Sequence, residues 1–245
     1  MRNFITLILI LLIQSVAFSQ ADIAIIKDPD GYINIRKGQG INFQIIDTLF
    51  ENDFFECDFF ENSNWVKVTP WKGRNIEGFV HKSRIQLVEE LSTKKQKELI
   101  KPVLIQQKYL ANEFQKAWRL KDNKKYAVSR KKREIYSENK YDAILMILPN
   151  YLCSTNDTST IKLFFEVLWT DKGSANEMPS FILGEYFVCN QQPIIDILSA
   201  EKNIDKKNLI LGHIEWGLIN LYDADEKGDS NDPKYQKLIK ILNSI

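Results

Sequence analysis

Alternating apolar and polar positions predict short strands in the first third of the chain. Within residues 32–36, Ile33 and Ile35 lie on one side of an extended chain and polar side chains on the other, which is the period of a half-buried strand. Gly38 and Gly40 then turn the chain, because glycine accepts a positive φ at low cost. The same reasoning predicts four more strands, at residues 44–49, 54–60, 65–69 and 76–81. Five short strands separated by polar turns are typical of a small barrel or sandwich.

Beyond Val88 the apolar spacing becomes helical. Leu110, Phe114 and Trp118 recur at helical intervals, and residues 141–245 predict about six helices, with Asp157, Asn190 and Asp232 as N-caps. Gly184 and Gly212 each stand within a predicted helix, which indicates close contacts between helices at these positions. The helix pairs faintly resemble HEAT-like repeats. Their irregular spacing leaves an ordinary helical bundle as the alternative.

Four motifs within residues 28–88 resemble those of a bacterial SH3 domain. Asn34-Ile-Arg-Lys-Gly38 matches the family pattern Asn-Val-Arg-x-Gly, and Ile45-Ile-Asp-Thr-Leu49 matches the strand that follows it. Trp65 stands in the third strand, and residues 78–85 match the closing Gly-aromatic-Val-x-x-Ser-x-Leu pattern. Gln39 departs from the Ser or Pro that the family often has. The resemblance implies a small SH3-like barrel that binds a cell-wall peptide or a protein segment. The predicted fold class is therefore multi-domain, an all-β SH3-like barrel followed by an all-α domain that is repeat-like or a bundle.

The first nineteen residues have the pattern of a cleavable signal peptide. Arg2 precedes an apolar run at residues 4–13, and Ala17 and Ser19 are the small residues that signal peptidase requires. The run is shorter than the roughly 20 residues of a membrane-spanning helix. We therefore predict a secreted, periplasmic protein without a transmembrane segment in the mature chain. The predicted division is 1–19 signal peptide, 22–88 SH3-like barrel, 89–140 basic helical linker region and 141–245 helical domain.

Basic residues are concentrated between Lys94 and Arg133, where fourteen Lys and Arg accompany three acidic residues. In a cytosolic protein, this density would indicate nucleic-acid contact, but the predicted export argues against nucleic acid as the partner. Two interpretations remain. The cluster is either a solvated helix face that pairs with the acidic flanking segments, or a surface at Lys131, Lys132 and Arg133 that contacts an acidic protein or an anionic envelope surface.

Three cysteines, Cys57, Cys153 and Cys189, allow at most one intramolecular disulfide. Cys153 and Cys189 are the candidate pair, because the periplasm is oxidising and two helix ends can approach within disulfide distance. Each also lies beside an apolar run, so two free, buried cysteines are the alternative.

The candidate ligand-binding residues are Tyr32, Trp71, Lys72 and Arg74. Trp71 stands in the loop after β-strand residues 65–69, and because loops run over the surface, its indole is interpreted as a contact with a ligand or between domains, with a core position as the alternative. Trp65 is interpreted as a core residue, since aromatic side chains supply much of the buried area of a small domain.

Catalytic motifs are missing from the sequence. It has no Walker loop, no Gly-x-Ser-x-Gly elbow and no dinucleotide fingerprint, and His213 and Glu215 are spaced wrongly for a zinc pair on a helix. We therefore predict a non-enzymatic binding protein without a cofactor or metal. Its expected partner is a peptidoglycan peptide or an envelope protein. The alternative is an immunity-like or structural partner protein that recognises another exported protein through its helical domain.

Overall fold

An antiparallel sheet comes first in the chain and α-helices follow it, as the sequence predicts. The computed structural model describes residues 22–72, 76–172, 176–225 and 228–245. The strands in these residues are β1 (Asp22–Ile26), β2 (Tyr32–Arg36), β3 (Ile45–Phe50), β4 (Phe55–Asp58), β5 (Trp65–Pro70), β6 (Gly78–His81) and β7 (Ile85–Leu87). The helices are α1 (Thr93–Arg119), α2 (Asn123–Tyr136), α3 (Asp142–Thr155), α4 (Thr158–Thr170), α5 (Met178–Cys189), α6 (Gln192–Ala200), α7 (Ile204–Leu221) and α8 (Pro233–Leu242).

The seven described strands form one sheet in the order β3-β2-β6-β5-β4-β1-β7. Its inner side buries alternate residues of each strand, such as Ile33 and Ile35 of β2 and Val66 and Val68 of β5. All five predicted strands are present. β1 and β7 were not predicted, because residues 22–26 lack a clean alternation and β7 is only three residues long.

Trp65 lies on the outer side of the sheet, so its interpretation as a core residue is wrong. Val66 and Val68 are buried, and the period of two along β5 places Trp65 on the opposite side. The indole is half-buried and packs edge-on against His81, with 5.5 Å between ring centroids. Phe55 and aliphatic side chains, and not this indole, fill most of the core of the sheet.

One hydrophobic core joins the helices to the part of the sheet that contains β1 and β7, opposite the β3 edge. Ile23, Phe54 and Val88 belong to the same buried cluster as the helical residues, and β1 lies against α3. The residues predicted to be a linker, 89–140, form α1 and α2, and α1 contributes Ile100 and Leu104 to this core. None of the described helices is long and apolar enough to cross a membrane.

Two helices of the core approach each other at glycines. A Cβ atom at Gly184 of α5 would lie 2.6 Å from the backbone of Gly217 in α7, and one at Gly217 would lie 2.0 Å from the carbonyl oxygen of Ser180. The prediction of a close contact is thus confirmed for Gly184. It is wrong for Gly212, where an added Cβ would meet no atom within 4 Å.

Cys153 and Cys189 form a disulfide that joins the end of α3 to the end of α5. Their Cα atoms are 5.9 Å apart, within the usual range for this bond. Cys57 is free and buried in the sheet. Burial raises the pKa of its thiol to about 12, and neighbouring carboxylates act in the same direction. The thiol is therefore protonated at neutral pH.

Asp157 caps α4, as predicted, and also joins α4 to α1 and α3. Its side chain accepts hydrogen bonds from the backbone N–H groups of Ser159 and Thr160 and from the Tyr151 hydroxyl, and it pairs with Lys97 at 2.8 Å. Burial by itself raises the pKa of Asp157, but hydrogen bonds from Lys97, the Tyr151 hydroxyl and the hydroxyl groups of Ser159 and Thr160 outweigh burial and hold the pKa well below its ordinary value. The ionised carboxylate thus stabilises the folded chain.

Replacing Asp157 by alanine should lower the free energy of unfolding at pH 7 by about 2 kcal/mol, the upper end of what a helix cap contributes. Because the pKa is lowered on folding, this contribution is complete above the ordinary pKa of about 4 and decreases as the pH falls below it. Urea unfolding of Asp157→Ala and the unaltered chain at pH 7 and pH 3 measures the difference.

The matched control is Asp232→Ala, which removes the cap of α8. Asp232 accepts from the backbone N–H groups of Lys234 and Tyr235, so this variant measures the value of a cap with two backbone donors. An Asp157→Ala effect that is no larger than the Asp232→Ala effect, or that is equal at pH 3 and pH 7, contradicts the assigned role of Lys97 and Tyr151.

Candidate functional site

Large apolar side chains are exposed along the β3 edge of the sheet. Among the described residues, β3 pairs with β2 and with no other strand, so its second side is unpaired. Six side chains of this region are between 38% and 75% exposed. We call them the edge patch: Tyr32, Ile41, Phe43, Ile45, Ile46 and Phe50.

Strand register explains why the patch has two ends. Tyr32 stands opposite Phe50 at one end of the β2–β3 pair, and Arg36 stands opposite Ile45 at the other. A register shift beside Arg36 inserts Ile46 as an extra residue in β3, and such a bulge turns side chains away from regular alternation. Both isoleucines are consequently exposed, although they are neighbours in the chain.

The loop before β3 is held in place by the ring of Phe43. A Cβ atom at Gly38 would lie 2.6 Å from this ring, and one at Gly40 would lie 3.3 Å from it. Neither glycine has a left-handed φ, so the prediction that they supply positive φ values is wrong. They are needed because the aromatic ring lies against the backbone. The guanidinium of Arg36 also donates to the Phe43 carbonyl at 2.9 Å.

Lys72 borders the edge patch, but its ammonium group has partners within the protein. Its Nζ lies 5.6 Å from the centroid of the Phe50 ring, donates to the Thr48 carbonyl at 2.6 Å and pairs with Asp53 at 3.0 Å. Lys140, between α2 and α3, pairs with the same carboxylate at 3.0 Å. Burial alone would raise the pKa of Asp53. Hydrogen bonds from the Phe50 N–H, Lys140 and Lys72 together lower it by more, so the net pKa shift is downward.

A carboxylate oxygen on the inner side of β3 lacks a donor among the described residues. Asp47 stands opposite Ile35, and its Oδ1 accepts from the Thr48 N–H at 2.8 Å. Its Oδ2 is buried and has no hydrogen-bond partner there.

Trp71 lies away from the edge patch, on the side that faces the helices. Its indole is partly buried against the core shared by the sheet and the helices, and its backbone N–H donates to the Phe54 carbonyl at 3.0 Å. The indole N–H is buried without a hydrogen-bond partner among the described residues. Of the predicted ligand-binding set, the structure therefore brings together Tyr32 and Lys72, both beside Phe50. Arg74 lies outside the described residues.

The three predicted partner-binding residues differ in accessibility. Lys131 and Lys132 are exposed on α2. Arg133 instead pairs with Asp171 at the end of α4, and its guanidinium stacks on the Phe114 ring at 4.4 Å. Arg133 thus helps to hold α2 against the helical body.

The sequence predicted a strand at Ile45 and Ile46, but the apolar residues of β3 and its preceding loop were not predicted as a binding site. A signal was available, because Ile45 and Ile46 are adjacent and a strand cannot direct both toward one core. Phe50 follows the predicted strand at residues 44–49 and was assigned no role. Its exposure depends on which strand occupies the edge of the sheet.

No family model matches the chain, and no curated protein or solved structure matches it. The described residues contain no group of three or more His, Cys, Asp and Glu side chains that could hold a metal ion. The function is therefore inferred from the geometry of the edge patch.

Proposed function

We propose that this is a non-enzymatic binding protein that holds an extended peptide or protein segment along its edge patch. In this proposal, residues 22–88 are an SH3-like barrel, the chain is exported, and the bound segment is a peptidoglycan peptide or part of an envelope protein. The observation that carries the proposal is the unpaired side of β3, with large apolar side chains exposed beside it.

Edge strands can bind extended segments by β-strand addition. The free N–H and C=O groups of the edge can pair with those of an added strand, and neighbouring side chains select the segment. Full burial of an exposed large apolar side chain contributes about 1.5–3 kcal/mol, and each side chain of the patch, being partly buried already, contributes a fraction of that. Tyr32 and Phe50 are the expected centre of binding energy, because they are cross-strand neighbours and aromatic residues are frequent hot spots.

The disulfide supports the export part of the proposal. Cys153 and Cys189 are bonded although Cys189 is exposed, and disulfides persist in oxidising compartments such as the periplasm. This is consistent with the signal-peptide pattern of the first nineteen residues.

Replacing Phe50 by alanine should weaken binding to the ligand by about tenfold or more, because it removes an exposed ring at the centre of the patch. Binding is measured by calorimetry with soluble peptidoglycan fragments and by pull-down from envelope extract. The melting temperature should change little, since the Phe50 ring is 57% exposed.

Phe59→Ala is the matched control. Phe59 is also exposed, at 40%, and a lysine lies over its ring at 5.7 Å, as Lys72 lies over Phe50 at 5.6 Å. Phe59 follows β4, which three strands separate from β3 in the sheet, and it does not belong to the edge patch. Equal losses in the two variants contradict the assignment of the edge patch. Unchanged binding in Phe50→Ala, with binding lost on substitution of helical residues, favours the immunity-like or structural partner instead.

A further inference from the structure

The hairpin of α1 and α2 extends beyond the helical body. Side chains of α1 and α4 are joined by Gln107 with Asp171, at 3.1 Å, and by Lys108 with Glu166, at 3.3 Å. From Lys108 to the turn at Leu120, α1 continues for about 18 Å at 1.5 Å per residue. In this last part, Phe114 packs on Tyr126 of α2, with ring centroids 5.0 Å apart.

The end of the hairpin exposes two large apolar side chains. Trp118 is 62% exposed and Leu120 is 64% exposed. The turn between the helices is short, because Lys121 adopts a φ of 53° and Asp122 caps α2 directly afterwards. The turn therefore holds Trp118 and Leu120 at a fixed end of the molecule.

Basic side chains surround these two residues. Between residues 115 and 133 the chain has nine Lys and Arg and a single acidic residue, Asp122. Five of the basic residues are exposed within five positions of Leu120. Together with Trp118 and Leu120 they form what we call the hairpin tip: Lys116, Arg119, Lys121, Lys124 and Lys125.

We propose that the hairpin tip docks on an anionic phospholipid bilayer. Trp118 and Leu120 enter the interface between headgroups and acyl chains, where an indole with a polar N–H and an aliphatic side chain are both stable. The five basic residues contact lipid phosphates, and the long stems of the lysines cover apolar surface. This contact is independent of the edge patch, so either assignment can fail without the other.

The arrangement favours a lipid surface over an acidic helix of a protein partner. A groove of about 570 Å³ runs between α1 and α2, lined by apolar residues such as Tyr109 and Val128, by lysines and by Glu113. A helix in this groove would cover Leu120, which lines the groove, and would leave Trp118 exposed, because Trp118 does not line it. A flat anionic surface at the end of the hairpin can meet Trp118 and Leu120 together, with the exposed Arg119 and Lys121 beside them in the chain.

The first test compares two lysine pairs on the full chain without its first nineteen residues. Binding is measured by sedimentation with vesicles of phosphatidylcholine alone and with vesicles containing 30% phosphatidylglycerol. Replacing Lys124 and Lys125 by serine should weaken binding to the anionic vesicles about 20- to 30-fold, and raised salt should weaken binding of the unaltered chain. Replacing Lys94 and Lys95, which occupy the corresponding first turn of α1, changes the net charge equally and should have little effect.

The second test addresses the apolar contact. Replacing Trp118 and Leu120 by serine should weaken binding to the anionic vesicles at least tenfold without lowering the melting temperature. The matched control replaces Trp216 and Ile204, which are 45% and 62% exposed on α7, and should leave binding unchanged. Equal effects of the tip and control pairs overturn the proposal. So does binding to polyglutamate with none to the anionic vesicles at the same salt concentration, because the partner is then an acidic polypeptide.

Discussion

Replacing Gly217 by alanine is expected to lower the free energy of unfolding by about 3 kcal/mol, the upper part of the range for overpacked cores. The added methyl group would lie 2.0 Å from the Ser180 carbonyl oxygen and 2.9 Å from the Gly184 Cα. Both atoms belong to the backbone of α5, so no side chain can move away to relieve the contact. The two helices must separate, and the contacts beside the glycines are lost with them.

Gly212→Ala is the control for this variant, because Gly212 lies in the same helix and a Cβ there meets no atom within 4 Å. This substitution should stabilise the chain by up to about 1 kcal/mol, the difference in helix propensity. In thermal unfolding, Gly217→Ala should melt about 6 to 12 °C lower than the unaltered chain, at 2–4 °C per kcal/mol for a chain of this size. If the two alanine variants melt alike, α5 and α7 do not meet at Gly184 and Gly217.

Removing the disulfide is expected to lower the free energy of unfolding by about 3 to 4 kcal/mol. The bond joins residues 36 positions apart, and closing a loop of this length restricts the unfolded chain by about that amount. Urea unfolding of the variant with Cys153→Ser and Cys189→Ser, compared with the unaltered chain, measures the effect. Dithiothreitol should shift the unfolding curve of the unaltered chain to lower urea concentrations. It should leave the curve of the variant unchanged, because the variant has no disulfide to reduce.

Thiol counting checks the cysteine assignment independently. In the folded, unreduced chain, a thiol reagent should detect no reactive cysteine at neutral pH. Cys57, the free cysteine, is buried, and burial raises the pKa of its thiol to about 12. Unfolding without reductant should release one thiol, and unfolding with reductant should release three. Three reactive thiols in the unreduced, unfolded chain would show that the bond between Cys153 and Cys189 is absent.

Local patterns were sufficient for most secondary structure. The period of two predicted β2 and β5 with boundaries within one residue, and helical spacing predicted six helices in residues 141–245, the number that the described part of this segment contains. The prediction of a third cap at Asn190 is wrong, because Asn190 ends α5 and Gln191 precedes α6 without a side-chain cap hydrogen bond. The caps Asp157 and Asp232 were predicted correctly, because a cap acts on backbone groups two or three residues away. These features depend on residues that are neighbours in the chain, and those neighbours can be read directly from the sequence.

The candidate sites depended on contacts that are distant in sequence. Trp71 follows a strand and was interpreted as a surface or interdomain residue, but only the packing of sheet on helices shows that its indole faces the shared core. Phe50 is exposed because β3 lies at the edge, and strand order brings β2 beside β6 and β1 beside β4. No local periodicity encodes that order.

The sequence by itself determined that strands precede helices, the position of two caps, the concentration of basic charge before residue 134 and the candidate cysteine pair, which the structure shows to be bonded. The tertiary structure alone decided that Gly184 meets Gly217, that Arg133 pairs with Asp171, and that the β3 edge and the hairpin tip expose apolar side chains. The physical reason is that periodicity and capping arise from interactions over a few residues. Exposure and packing depend on which distant segments cover each other, and that depends on the whole fold.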